Sequence, residues 1–410
     1  MLYHLSYSTV VWDCKDSIFF RECKKNLVTL YDLKKWGIIL AAVGACLLFQ
    51  TEGKAQPFSN LGTKIRNTFT GYNPKLDSVY VFQPFRGWDF SLTYKGRWDG
   101  VNLEIPIVVD MGNIHDEPTI HTTLVDNLSN HVGVRGGYGP LSIGFSVAVS
   151  GKRKGNRNFS FNWITNSLNL QVYHARILDT ATSFASYPDR EDMALPDVAS
   201  KANIWRVSAY YAFNHRKFSY PAVYSGKMVQ RKSAGSFMVG AKFHYSNLLL
   251  DDGKNPVSAL MLNLRGYTTN QFSLGAGYSF NWVLFHRDAA GRKDIGDLRN
   301  LTFNITAIPL VTVVNNLRMT HYSENHGNVR INMRGYVQPN FLSRAGICYA
   351  IGHLYITSYF DFHFNRFRTS TITEKELEKA RVVFDGYTYH FSVTGKLANW
   401  SCGLDLHYRF

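Results

Sequence analysis

Apolar and polar residues alternate one by one along much of the chain after residue 85. Leu141, Ile143, Phe145, Val147 and Val149 interleave with Ser142, Gly144, Ser146, Ala148 and Ser150. Phe272, Leu274, Ala276, Tyr278, Phe280 and Trp282 interleave with Ser273, Gly275, Gly277, Ser279 and Asn281. A period of two predicts β-strands with one apolar and one polar face. Comparable text recurs near 88–98, 129–138, 166–177, 203–213, 237–246, 257–267, 301–306, 336–349, 353–363, 384–394 and 400–410. These segments reach about ten residues, enough to cross a bilayer when tilted, whereas soluble sandwiches use about five or six. Trp88, Trp98, Tyr138, Trp163, Trp205, Trp282 and Trp400 fall at segment ends, where interfacial girdles sit.

The connections come in two sizes. Tight ones are 137–140, 268–270 and 352–353; long polar ones are 109–128, 178–202, 247–256, 286–298, 314–328 and 365–382. Short turns on one side and long loops on the other predict an all-β fold, a single transmembrane antiparallel β-barrel. The best even count is about 12 strands, with 10 and 14 as neighbours. The stretch Arg216–Ala234 fits neither size. Its mixture of bases and aromatics predicts a loop folded into the lumen as a constriction carried by Lys217, Phe218, Tyr220, Arg231 and Lys232. A hairpin with misplaced ends is the other reading.

Residues 34–56 read as a secretory signal peptide: Lys34-Lys35, the uncharged stretch Trp36–Phe49, then a polar exit ending in Ala55-Gln56. Fourteen residues rise about 21 Å as a helix, short of a roughly 30 Å hydrocarbon core, so a spanning anchor is the weaker reading. Val43-Gly44-Ala45-Cys46 offers lipidation of Cys46 as an alternative, although Leu47-Leu48-Phe49 continue the apolar run past it. Residues 1–33 precede a complete leader and read as a mis-assigned start. Residues 57–84 form a periplasmic lead-in, and 85–410 the barrel.

The chain ends Leu404-Asp-Leu406-His-Tyr408-Arg-Phe410, apolar at every second position back from a terminal Phe. This resembles the signal that the barrel-assembly machinery reads, an amphipathic last strand able to pair with the first and remove the sheet edge. The text from Tyr210-Tyr211-Ala212-Phe213-Asn214 through Lys217-Phe218-Ser219-Tyr220 to Gln230–Phe237, with Gly275-Ala-Gly277-Tyr278 and Tyr408-Arg409-Phe410, resembles an uncharacterised Bacteroidota family catalogued as a domain of unknown function. The resemblance covers about 85–410. It implies a Gram-negative outer-membrane barrel and brings no activity, catalytic residue or cofactor.

Composition narrows the alternatives. Charged residues are 18% and aromatics 15%, which suits strands facing apolar surroundings. Forty-five Lys and Arg against thirty Asp and Glu give +15, yet Lys152-Arg153-Lys154 is the densest cluster, so no nucleic-acid partner is expected. The partners expected are outer-membrane lipid and lipopolysaccharide, with the assembly machinery during biogenesis; the sequence does not set the oligomeric state. Cys348 and Cys402 read as small lipid-facing or core residues. Ser246 beside His244 is a same-face strand pair, and His321, His326, Glu324 and Asp288 are loop residues, so neither catalysis nor a metal is expected. A pore or small-molecule uptake barrel is the leading function. A structural or surface-interaction barrel with a plugged lumen is the alternative, and an outer-membrane lipid hydrolase a distant one.

Overall fold

A computed structural model describes residues 76–83, 87–110, 115–116, 119–149, 156–187, 190–250, 264–287, 296–323, 327–370 and 388–410. Extension 1–33, leader 34–56 and Cys46 lie outside the described residues. Ile65–Phe410 is one compact unit. Its strands in chain order are β1 (Val81–Phe82), β2 (Trp88–Asp110), β3 (His115–Asp116), β4 (Thr119–Tyr138), β5 (Leu141–Ala148) and β6 (Arg157–Ile164). Then follow β7 (Leu168–Tyr187), β8 (Arg190–Ala212), β9 (Val229–Gln230), β10 (Ala234–Leu250), β11 (Leu264–Arg287) and β12 (Arg299–Ser323). The last are β13 (Gly327–Arg334), β14 (Gln338–Ile351), β15 (Leu354–Arg368), β16 (Thr388–Phe391) and β17 (Thr394–Arg409).

Twelve strands among the described residues close a ring in the order β2, β4, β5, β6, β7, β8, β10, β11, β12, β14, β15, β17. Neighbours are antiparallel throughout. β17 pairs back on β2 from Arg409↔Asp89 to Thr394↔Glu104, so the sheet has no free edge along this seam. β5 and β6 form a short hairpin, and past it β4 pairs directly with β7.

The strands outrun the predicted spans because their polarity inverts part-way along. In β2, Trp88, Phe90, Leu92 and Tyr94 are exposed on the outer face, while Asp89, Ser91, Arg97 and Asp99 are buried inside. From residue 101 onward Val101, Leu103, Ile105 and Ile107 are buried inside and Asn102 is exposed outside. β15 repeats the switch: Phe360 is exposed outside, followed by exposed Arg366 and Arg368, with Phe367 buried. In β17 Leu404, Leu406 and Tyr408 are exposed outside, whereas Lys396 is exposed and Leu397 buried at the other end. A barrel wall in hydrocarbon must be apolar outside, and beyond the lipid the outside meets water and the apolar side turns inward. The ring is therefore a transmembrane antiparallel barrel whose strands continue past the membrane as an ordinary water-facing sheet around a core.

This inversion explains where the sequence segmentation fails. The tight turn expected at 268–270 is the interior of β11, a single 24-residue strand. Thr268, Thr269 and Asn270 read as a turn because they stand where the polarity changes sign. The loops expected at 178–202 and 314–328 are largely strand for the same reason, in β7, β8 and β12. In β12 the phase is reset by a bulge: pairing passes from Phe272↔Val314 to Ser273↔Thr312, and Val313 and Val314 are both exposed. Of the strand expected at 384–394, the described residues give the short β16, which pairs with β2 beyond the start of β17. β6 is the ring strand the segmentation lacked.

Candidate functional site

Residues 213–233 join β8 to β10 and fold into the lumen at the end where the chain terminates. Phe218 and Tyr220 are buried there, followed by one helical turn, Pro221–Tyr224, whose four residues are all buried. The turn docks on β14 at Gly346, where a Cβ would stand 2.8 Å from the Tyr224 ring. Tyr224 donates its hydroxyl to Asn304 Oδ1 at 2.7 Å, and Thr357 donates to the Val223 carbonyl at 3.2 Å. Gln230 is the hub. Its Oε1 accepts from the Ser219 amide at 2.9 Å and Asn281 Nδ2 at 3.0 Å, while its Nε2 donates to the Lys217 carbonyl at 2.6 Å. Asn300 Nδ2 donates to the Gln230 carbonyl at 2.8 Å. Asn281 of β11 and Asn300 and Asn304 of β12 are thus the plug's hydrogen-bonding wall.

Of the residues expected to form a constriction, Phe218 and Tyr220 enter the lumen and the three bases do not. Lys217 and Lys232 are exposed with their ammonium groups 5.0 and 5.9 Å from the Tyr80 ring centre, and Arg231 lies 4.6 Å from that of Phe82. β1, which carries Phe82, pairs with β9 of the plug. The mixture of bases and aromatics is a cation–π clamp holding the segment before the first barrel strand.

At the opposite end the inward apolar residues of eleven strands meet as one cluster that includes Leu103, Ile107, Ile177, Leu248, Leu317 and Phe367. Between this core and the plug lies a polar cavity of about 150 Å³. Lys95, Arg97 and Arg206 gather on one ring there, 5.3, 5.1 and 4.5 Å from the centre of Tyr173. Arg97 is ion-paired with Asp99 and bonded to the Tyr173 hydroxyl. Arg206 donates to Asn399 Oδ1 at 3.1 Å. Arg344 lies against Asp361 at 2.6 Å and over the Tyr224 ring at 3.8 Å, and Arg135 faces Asp405 at 3.4 Å.

Neither ring nitrogen of His244 makes a hydrogen bond, so the Ser246–His244 pair is not formed. His131 contacts Ser129 Oγ at 3.0 Å and Asn158 at 3.2 Å, with no carboxylate in the set. His321 is buried inside β12, and Glu324, His326 and Asp288 lie outside the described residues. Among the described residues no group of His, Cys, Asp and Glu is arranged to hold a metal. Cys348 is buried on the lumen side and Cys402 exposed on the outer face, two free thiols on opposite sides of the wall. Leu404, Leu406, Tyr408 and Phe410 all stand exposed on the outer face of the closing strand.

The family described as Domain of unknown function (DUF4421) matches residues 77–389, from the segment before β2 to β16. The chain belongs to this family. No curated protein matches the chain. Among solved structures, the outer membrane protease OmpT of Escherichia coli is similar at 8% identity and a TM-score of 0.34, over 79% of this chain and 97% of that one. The outer membrane protein OprG of Pseudomonas aeruginosa is similar at 8% and 0.26, over 78% and 95%. The β domain of the Bordetella autotransporter BrkA is similar at 8% and 0.28, over 77% and 99%. With scores below 0.5, the barrel assignment of this family member rests on its own strand ring.

Proposed function

We propose that this family member is an integral outer-membrane barrel with a closed lumen, acting through its outer wall and loop end as a structural or surface-interaction protein. The carrying observation is that the chain fills its own lumen twice, with the 213–233 plug at one end and the apolar cluster at the other. A passive pore needs a continuous polar path, and burial of Leu103, Ile107, Leu317 and Phe367 across the loop end supports the opposite. The leading expectation from sequence, a pore or uptake barrel, therefore ranks second. It would require both fillings to move.

The outer wall supports lipopolysaccharide as the surrounding lipid. Just past the apolar belt, Arg318, Arg330, Arg334, Arg366, Arg368 and Lys396 are exposed on β12, β13, β15 and β17, with Glu104 paired to Lys396 at 3.2 Å. Arg366 and Lys396 stand directly opposite each other across β15 and β17, a like-charge pair in which Glu104 balances Lys396. Phosphates at the headgroup level supply an anion for Arg366. The reading assigns the barrel no catalytic chemistry. Conductance in planar bilayers tests it: the expected result is no steady current from the intact barrel, and a sustained ohmic current would overturn it.

A further inference from the structure

We infer that the cavity between plug and loop-end core binds a small oxyanion of the phosphate or sulfate class, held chiefly by Lys95 and Arg206. The ground is a charge imbalance in a place that cannot tolerate one. Six cationic side chains point into the middle of the lumen: Lys95, Arg97, Arg135, Arg206, Lys242 and Arg344. The carboxylates among them are Asp99, Asp361 and Asp405, and each is taken by one guanidinium, of Arg97, Arg344 and Arg135 in turn. Lys95, Arg206 and Lys242 remain. Lys242 is fully buried and has Asn365 Oδ1 at 3.0 Å; Arg206 has Asn399. An amide oxygen and the face of Tyr173 accept hydrogen bonds or attract a cation, but neither removes its charge.

Geometry concentrates the excess. Lys95 and Arg206 both lie about the Tyr173 ring with Arg97, so three cationic heads gather round one aromatic ring with a single carboxylate. Like charges held this close, away from bulk water, persist where something anionic sits among them. The cavity lies at this spot. Both side chains line it, and Ser146, Ser160, Asn158 and Ser208 add hydroxyl and amide donors around its wall. An oxyanion accepts from every one of these groups. A cation would meet Lys95, Arg97, Arg206 and Arg344 with Asp361 as the one carboxylate in the lining.

The inference rests on the closed-lumen reading, because an open lumen would fill with water and mobile ions. The mature barrel, unfolded in urea and refolded in detergent without phosphate, is dialysed to equilibrium against labelled inorganic phosphate at constant ionic strength in chloride. One phosphate per barrel is expected, with a thermal midpoint that rises with phosphate concentration as a native-state ligand requires. Arg206→Gln and Lys95→Met should each weaken binding about tenfold or more, the usual effect of removing a hydrogen bond to a charged group. Arg287→Gln, exposed at the end of β11 and absent from the cavity lining, should leave it unchanged. Each variant is first checked for its folded, heat-modifiable band, and the two lumenal variants are read independently should one not fold. No phosphate bound by the wild-type barrel, or equal binding by the lumenal variants and the wild type, would overturn the inference. A conducting barrel that still held one phosphate would sink the closed-lumen reading and leave the site standing.

Discussion

Lys227 Nζ lies 2.9 Å from Asp89 Oδ1, joining the tip of the lumenal plug to the first barrel strand. Both side chains are about nine-tenths buried, and Lys227 donates a second bond to the Leu141 carbonyl at 2.9 Å. Removing one partner of such a pair leaves the other charge stranded, at a cost of roughly 3–5 kcal/mol, whereas replacing both with apolar groups costs little. Lys227→Met and Asp89→Asn should each lower the urea midpoint of the detergent-folded barrel. The double variant Lys227→Met/Asp89→Leu should recover most of the loss. In planar bilayers the single variants should show brief openings absent from the parent. Additive losses in the double variant would mean that the pair does not act as a unit.

Gly226 sits in the same plug with φ +59°, and a Cβ there would stand 2.7 Å from Arg409 Nη2 and 3.3 Å from the Tyr355 ring. The left-handed backbone alone costs an L-residue about 1–2 kcal/mol. Gly226→Ala should therefore destabilise the folded barrel by at least that much, read as a lower thermal midpoint. It also touches the closing strand through Arg409, so slower appearance of the heat-modifiable band on refolding should accompany the loss.

Inverted polarity makes opposite demands on neighbouring residues of one strand. An arginine facing lipid near mid-membrane costs about 2–4 kcal/mol. Leu92→Arg and Leu274→Arg should cut folded yield in lipid vesicles. Leu103→Arg should do so as well, although its side chain points inward, because it enters the apolar core. Asn102→Arg, one position away and facing water, should fold normally. Normal folding of Leu103→Arg would remove the second core from the description.

The basic collar carries its own test. Arg366→Glu/Arg368→Glu/Lys396→Glu should lower the thermal midpoint in vesicles containing lipopolysaccharide and leave it nearly unchanged in neutral phosphatidylcholine. Equal shifts in both lipids would tie the residues to the strand and not to headgroup phosphate.

Within the bilayer the ring strands other than β6 were legible from their alternation. The alternation of Ile143, Phe145, Leu274 and Tyr278 against Ser142, Ser273 and Ser279 assigns the outer and inner faces as the structure has them. The closing strand was legible from Leu404 to Phe410. What failed was text in which both alternations meet, as at 268–270, because a window spanning the inversion averages to no pattern. The plug was visible only as a segment of awkward length. Its bases drew attention, but the residues that hold it are Gln230, Tyr224, Asn281 and Asn304, whose pairing depends on strands far apart in sequence. The lumenal charge cluster carried no local signal, since Lys95, Tyr173 and Arg206 meet only when the ring closes.

Polarity inversion also makes membrane entry a ratchet. For a barrel inserted with this end leading, Arg318, Arg330, Arg334, Arg366 and Arg368 traverse the hydrocarbon before they face water on the far side. Each passage on the lipid face carries a barrier of about 2–4 kcal/mol, and the strands meet it together. Once across, the same side chains oppose return, and the apolar cluster behind them seals the exit by burying itself. The barrel's residence in the membrane is then governed by the rate of leaving more than by the equilibrium. Its depth in the bilayer is fixed by the chain, since sliding in either direction drags arginine into lipid or bares Leu103 and Leu317 to water.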